Sequence, residues 1–398
     1  MKMSVCYSLL LATMTFSPMV WSAPAKEWID GATGHRIMRL STEAGSASLY
    51  FHQNSYTPQG DKMIITVPDG IAVVDLHDWS IKALVKGSNI QALFTGRKSR
   101  TVYYTTRDQS AAGGPSTVFG ADIDTGKIHK IAALDRGAIG SINADETLLL
   151  GSWADQESNS KGENRLNQRI NMEIFIIDIK NGSRKTILRS RDWLGHLQFS
   201  PSDPSLIMYC HEGPWDKVDR IWKIHTDGTK KNLIHKRTMP NEIAGHEFFS
   251  PDGKWIWYDL QTPRSKIFWL AGYEIATGRR KWFQLDRNMW SVHYNQSPDM
   301  RFFSGDGGDR NMTGRAPDGK YIYLFTPHST GVSAIAPQKL EKRIKIGRFT
   351  ATRIADMRKN AYRLEPNATF TPDSKWLIFR SNIEGENHVY AAEVEPIQ

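Results

Sequence analysis

Phe249-Ser250-Pro251-Asp252-Gly253-Lys254-Trp255-Ile256-Trp257-Tyr258 is the stretch on which the fold turns. Pro and Asp-Gly set a tight turn, and the alternating apolar run after it reads as a β-strand. Phe370-Thr371-Pro372-Asp373-Ser374-Lys375-Trp376-Leu377-Ile378-Phe379 repeats it with Ser in place of Gly. Weaker copies begin at Tyr56, Phe94, Asn143, Phe199 and Gln296. Most copies lie roughly 40–55 residues apart, the span of one four-stranded blade. Each is followed by further strands and a second turn, as in Phe175-Ile176-Ile177-Asp178-Ile179-Lys180-Asn181-Gly182. Seven copies predict an all-β chain folded as a seven-bladed β-propeller. The last copy has only three strands, and Asp30 to Leu40 supplies one outer strand without a blade of its own. The two ends are expected to complete one blade, which closes the ring and removes sheet edges.

The propeller domain is read as residues 26–398 and residues 1–25 as a signal peptide. Lys2 precedes a mostly apolar stretch from Val5 to Val20, and small residues follow, with cleavage after Ser22 or Ala25. That predicts a periplasmic or secreted protein with no membrane span in the mature chain. The leader takes Cys6 with it, so Cys210 is left without a disulfide partner and reads as a buried strand residue. The net charge of +9 suits an anionic partner: on charge alone, an acidic glycan, a nucleic acid or an anionic envelope surface. Ala154 to Gln168 and Pro327 to Leu364 break the period and read as insertions, either cleft walls or plain loops.

Polar residues recur at one register. His196, His246, His293 and Asn367 each lie four residues before the Ser or Thr of a turn. In a propeller, equal offsets on innermost strands bring side chains from different blades to one axis. A strand that only packs would carry Val or Ile there. Core histidines with satisfied hydrogen bonds remain the alternative. The ring suits metal binding or acid–base chemistry, with His293, Glu365 and Asn367 as mixed nitrogen and oxygen donors. His211 and Glu212 come from a neighbouring strand end, and Arg220 could grip a carboxylate with two prongs.

The run Trp193-Leu194-Gly195-His196, Cys210-His211-Glu212-Gly213-Pro214, Arg220-Ile221-Trp222, His246-Glu247-Phe248 and His293 resembles the oligogalacturonate lyase family. The resemblance is densest from Trp193 to Asp309 and from Phe370 to Val394, and weak before residue 140. It implies a seven-bladed propeller that cleaves short pectic oligouronides by β-elimination, with a histidine base and a bound manganese. It places the base at His246, the carboxylate-binding arginine at Arg220 and one metal-binding histidine at His293. On the chemistry rather than the resemblance, His211 would help protonate the leaving group, His196, Glu212 and Arg363 would meet the substrate, and Trp215 or Trp193 would stack on a sugar ring. The family's segment of two histidines separated by proline, preceded by glutamine, reads here Tyr362-Arg363-Leu364-Glu365-Pro366-Asn367. Glu365 and Asn367 stand where histidines would. The implied divalent metal is then manganese, calcium or magnesium, or it is lost, with Arg363 or Arg220 neutralising charge.

The chemistry asks for these residue types. A cation or arginine on the uronate carboxylate stabilises an enolate-like intermediate, and a neutral histidine removes the C5 proton. The expected partner is an acidic, galacturonate-type oligosaccharide and not a nucleic acid. Two other readings stay open. One is a non-catalytic periplasmic propeller that binds an envelope glycan or a protein. The other is a hydrolase using a carboxylate pair drawn from Glu212, Glu247 and Glu365.

Overall fold

Antiparallel four-stranded units follow one another along the chain, as the spacing of the turn motif requires. The computed structural model describes residues 20–21, 26–107, 115–156, 158, 160–329 and 344–396. Among the described residues, strands Ile90–Leu134, Ala138–Ser190 and Leu194–Leu233 each form one such sheet. Strands Lys62–Lys86 form another, with Val20–Trp21 added outside Ile81–Lys82. An eight-stranded sheet from Ile243 to Asp356 is two units joined edge to edge, and the last unit lies at Thr369–Glu393. That makes seven units. The leader expectation falls on residues 1–25, outside the described residues apart from the Val20–Trp21 strand.

The ends close the ring as expected, with one addition. Arg36–Arg39 pairs with Tyr390–Ala392 as the fourth strand of the last blade. Lys26–Ile29 then pairs outside it as a fifth. The eight-stranded sheet is a departure from the simple repeat. Its two halves meet where Arg280–Gln284 runs parallel to Ile344–Arg348. The strand Ile344–Asp356 is 13 residues long and forms a long hairpin with Tyr321–Ser329, so it overhangs its own blade and reaches the previous one. The expected insertion from Pro327 is thus partly a strand, and the basic run Lys339 to Arg343 lies outside the described residues. The other insertion contains the short helix Gly162–Asn167.

The turn motif works through side chains. Ser250 Oγ donates to Asp252 Oδ1 at 2.6 Å and accepts from the Trp255 amide at 2.9 Å. Thr371 does the same with Asp373 and Trp376. The fourth residue of the turn adopts φ of +70° at Gly253, +62° at Ser374 and +61° at Met300, so glycine is preferred there but not obligatory. The core lies between blades. Leu150, Ile174 and Ile176 of one sheet pack on Leu194, Phe199, Ile207 and Tyr209 of the next. At the closure Met38, Ile378 and Val389 pack on Met63 and Ile65. Each such side chain contributes about 1.5–3 kcal/mol on burial, so the ring is held by many contacts of similar weight.

Candidate active site

Two innermost strands carry the same irregularity at the same place. In Leu194–Phe199 the pairing register slips between Gly195 and Gln198, and in Ile243–Phe249 between Gly245 and Phe248. The bulged residues are His196 and His246, with φ of +47° and +49°. Asn367 shares that conformation at +55°. A non-glycine residue held there is strained, and a bulge re-aims its side chain. The glycine before each histidine is a packing requirement. A Cβ on Gly245 would come within 2.4 Å of the Trp215 ring, and one on Gly195 within 2.9 Å of Glu212 Oε1.

The histidines converge. The rings of His246 and His293 lie 4.9 Å apart, edge to face. Trp215 meets His246 at 4.9 Å from another side and covers the Arg220 guanidinium at 4.4 Å. Burial, with His293, His196 and Arg220 nearby, holds the His246 pKa well below the ordinary histidine value. Its Nδ1 is buried without a hydrogen-bond partner.

Arg220 is 2% exposed. It donates to Glu212 Oε2 at 2.7 Å and to Cys210 Sγ at 3.6 Å. Burial opposes its charge, but Cys210, Glu212 and Glu247 outweigh burial and raise its pKa. Cys210 Sγ lies 2.5 Å from Glu247 Oε1. Burial, then Glu247, pushes that thiol well above the usual range, which suits a packed strand residue rather than a nucleophile. His196 Nε2 lies 3.3 Å from the other Glu212 oxygen. Glu212 therefore ties His196 to Arg220.

His293 sits differently. Asp306 accepts from the His293 backbone amide at 2.9 Å and faces Nδ1 at 2.8 Å. That leaves Nε2 to accept from the Tyr50 hydroxyl at 3.1 Å. Phe51 stacks on the His293 ring at 4.6 Å. Burial, then Glu365, raises the Tyr50 pKa, so its hydroxyl keeps its proton. His52 packs 5.0 Å from Tyr50 and 6.5 Å from His196, and burial lowers its pKa to about 3.

Not every expected residue joins this group. His211 stacks on Trp222 at 4.9 Å and lies 3.9 Å from Asp192. No hydrogen bond, ion pair or ring contact links it to the central histidines among the described residues. The role of protonating a leaving group therefore loses its geometric basis, because adjacent strand residues face opposite ways and Cys210 takes the inward side. Arg363 is exposed on the loop before Glu365. Trp193 lies under Arg165, at 5.4 Å. Glu247 is fully buried and bonded to Cys210, so it cannot serve as one of a hydrolytic carboxylate pair.

Tyr50, Phe51 and His52, and the support that Asp306 gives His293, lie outside the repeat register. In the first blade the innermost strand is broken into isolated bridges at Ala47 and Tyr56. Tyr50 to Gln53 forms a turn instead, which carries its aromatics to the axis. Asp306-Gly307-Gly308-Asp309 reads in sequence as a tight turn, with calcium binding as the lesser alternative, and pairing with the strand before it shows that Asp306 supports His293. Proximity of Tyr50-Phe51-His52 to the first repeat's turn was the one available signal.

The site opens into a cavity of about 1200 Å³ lined by His246, Trp215, Trp290, Arg264, Arg315 and Glu365, among others. A smaller pocket of about 170 Å³ among the turns touches Phe51 and His52 but not His246.

A propeller with a neutral histidine, a buried arginine and carboxylates gathered at its axis, beneath a large cavity, is a catalytic architecture. The family model for oligogalacturonate lyase matches residues 159–396, more than half of the chain, and the chain belongs to that family. An oligogalacturonide lyase of Pectobacterium atrosepticum is 24% identical over 389 residues, covering 92% of this chain and 95% of that one. An oligogalacturonate lyase of Dickeya dadantii is 23% identical over the same shares. The solved structure of an oligogalacturonate lyase in complex with manganese superimposes with a TM-score of 0.78 at 22% identity, covering 96% of this chain and 99% of that one. One from Vibrio parahaemolyticus gives the same TM-score at 20% identity.

The donors around His293 do not fit a resident manganese ion. Asn367 Oδ1 already accepts from the Phe51 amide at 3.1 Å, and its Nδ2 donates to the Glu365 carbonyl at 2.8 Å. Asp306 is occupied by His293 and by the Asn367 amide. Tyr362 donates its hydroxyl to the Asp306 carbonyl at 2.9 Å. Among the described residues the Glu365 carboxylate, 3.7 Å from His293 Nε2, is the one acidic group beside that nitrogen, which Tyr50 already engages. Among the described residues no group of three or more His, Cys, Asp or Glu side chains is placed to hold a metal.

Proposed function

We propose that the protein is an exported lyase that cleaves short, galacturonate-type acidic oligosaccharides by β-elimination, with His246 as the base. The observation that carries this reading is His246 itself. It is kept neutral by burial, strained into a bulge, and placed at a large cavity with Arg220 beside it under the same indole. Arg220 offsets the charge that develops on the uronate carboxylate as the C5 proton leaves. His246 takes that proton, a C4–C5 double bond forms, the C4–O4 bond breaks with its electron pair on O4, and the departing O4 gains a proton from water to become the hydroxyl of the saturated product. A guanidinium in a water-poor site stabilises this charge more than it would in bulk water. Trp215 covers Arg220, so its ring must yield, or stack on the sugar, for the carboxylate to reach the guanidinium. Family membership supports the reaction class. The depleted donor set supports a version of it in which arginine, rather than manganese, meets the carboxylate.

The lowered pKa of His246 gives a pH prediction. A depressed pKa favours the neutral, basic form, so that form persists below the ordinary histidine value of about 6.5. The kcat/KM of the free enzyme is expected to stay level as pH falls from about 7.5 to about 5.5, about one unit either side of that value. An acidic limb with an apparent pKa at or above the ordinary histidine value would assign the base elsewhere.

Export rests on the N-terminal sequence. Expressed from its full reading frame in a Gram-negative host, the protein is expected in the periplasm or medium with a new N-terminus at Ala23 or Lys26. An intact Met1 on folded, active protein would refute it.

A further inference from the structure

We infer that Arg264, Lys266 and Arg315, on the wall of the His246 cavity, form a second carboxylate-binding station, which takes a uronate residue flanking the one that is cleaved. The inference rests on the lyase reading and specifies its substrate as an oligomer gripped at more than one carboxylate. Arg264 and Lys266 lie on the connection between strands Trp255–Gln261 and Phe268–Glu274. Arg315 lies on the loop after Phe303–Gly305, and all three line the cavity with His246 and Trp215.

These side chains are exposed, and none of the three makes an ion pair among the described residues. Arg100 pairs with Asp61 and Asp124, Arg279 with Glu274 and Arg358 with Asp356, whereas Arg136, Arg310 and Arg363 are exposed without an ion pair among the described residues, so what sets Arg264, Lys266 and Arg315 apart is the shared wall of the His246 cavity. Their loops are nevertheless held firmly. The Arg264 amide donates to the Asn241 carbonyl at 2.7 Å, and the Ser265 amide to Gln261 Oε1 at 2.7 Å. Ser265 Oγ donates to the Thr313 carbonyl. Arg287 clasps both loops by donating to the Gly314 and Ser265 carbonyls, at 3.3 and 3.0 Å. Fixed backbones thus present unspent cations.

The acids on the same wall are few. Asp216, Asp259 and Glu365 face Arg264, Lys266, Arg287 and Arg315. Asp259 is buried against Trp290 and Gln261, and burial raises its pKa to about 7. A rigid, positive wall beside a base that works on an anionic sugar fits a repeating polyanion, whose next carboxylate arrives wherever the first is held.

The test compares wild type with the Arg264→Gln/Arg315→Gln double variant on trigalacturonate. The expected result is a rise in KM of roughly five- to tenfold with kcat unchanged. Restoring charge with Arg264→Lys/Arg315→Lys recovers much of the loss, and wild-type KM rises with added salt. Arg279→Gln, outside the cavity, leaves KM unchanged. An unchanged KM in the double variant overturns the station. If wild type turns over no uronide, the lyase reading fails separately. Calorimetric titration with trigalacturonate then decides the station alone: binding weakened in the double variant supports it, and equal binding or none to wild type overturns it.

Discussion

His246→Ala is expected to lower kcat by about a thousandfold while leaving the oligogalacturonide Kd within a few-fold of wild type, because general-base catalysis contributes roughly 10²–10⁴. The loss falls on kcat because His246 acts on the C5 proton, whereas Arg220 and the cationic wall act on carboxylates. Folding survives, since His246 makes ring contacts to His293 and Trp215 but leaves Nδ1 unbonded. Alanine also removes little of the strain at a φ of +49°. Single-turnover rates and calorimetric titration separate the two effects. A variant that keeps a tenth or more of wild-type kcat would show that another group removes the proton.

Arg220→Ala is expected to damage both activity and stability. The guanidinium is buried between Glu212 and Cys210, with Glu247 close by. Removing it leaves buried acidic groups without a counter-charge, at a cost of about 3–5 kcal/mol. Chemical denaturation should show that loss directly. Arg220→Lys keeps the charge but not the planar fork, so it should recover part of the stability and much less of kcat/KM. A lysine variant with both restored would reduce Arg220 to a point charge and remove the carboxylate clamp from the mechanism.

Much of the fold was legible because one physical device is repeated. The Ser-Pro-Asp-Gly turn encodes its own hydrogen bonds, and the alternating strand after it states which face is buried. The common offset of His196, His246 and Asn367 was legible for the same reason, and the structure gives it a cause in the shared left-handed conformation. His293 has the offset without that conformation, and Asp306 sets its position instead. The first blade hid its contribution because its innermost strand is interrupted, so Tyr50 and His52 reach the axis from a turn outside the register. The joining of the fifth and sixth blades is not legible in sequence because nothing local in Ile344–Asp356 announces pairing with Arg280–Gln284. Residue type at Glu365 and Asn367 suggested oxygen donors. What it could not convey is that the Asn367 amide is spent on the backbone of Phe51 and Glu365.

The proposed β-elimination is driven by His246 and Arg220 without a resident manganese ion. It is tested most directly by incubating protein stripped with a chelator, its metal content checked by elemental analysis, with trigalacturonate. The ultraviolet absorbance of the C4–C5 double bond is followed, and the products are weighed by mass spectrometry. Metal-free protein, rising absorbance, and an unsaturated product matched by a saturated one are expected. Silence restored only by manganese, or products that have each gained the elements of water with no absorbance, would contradict it.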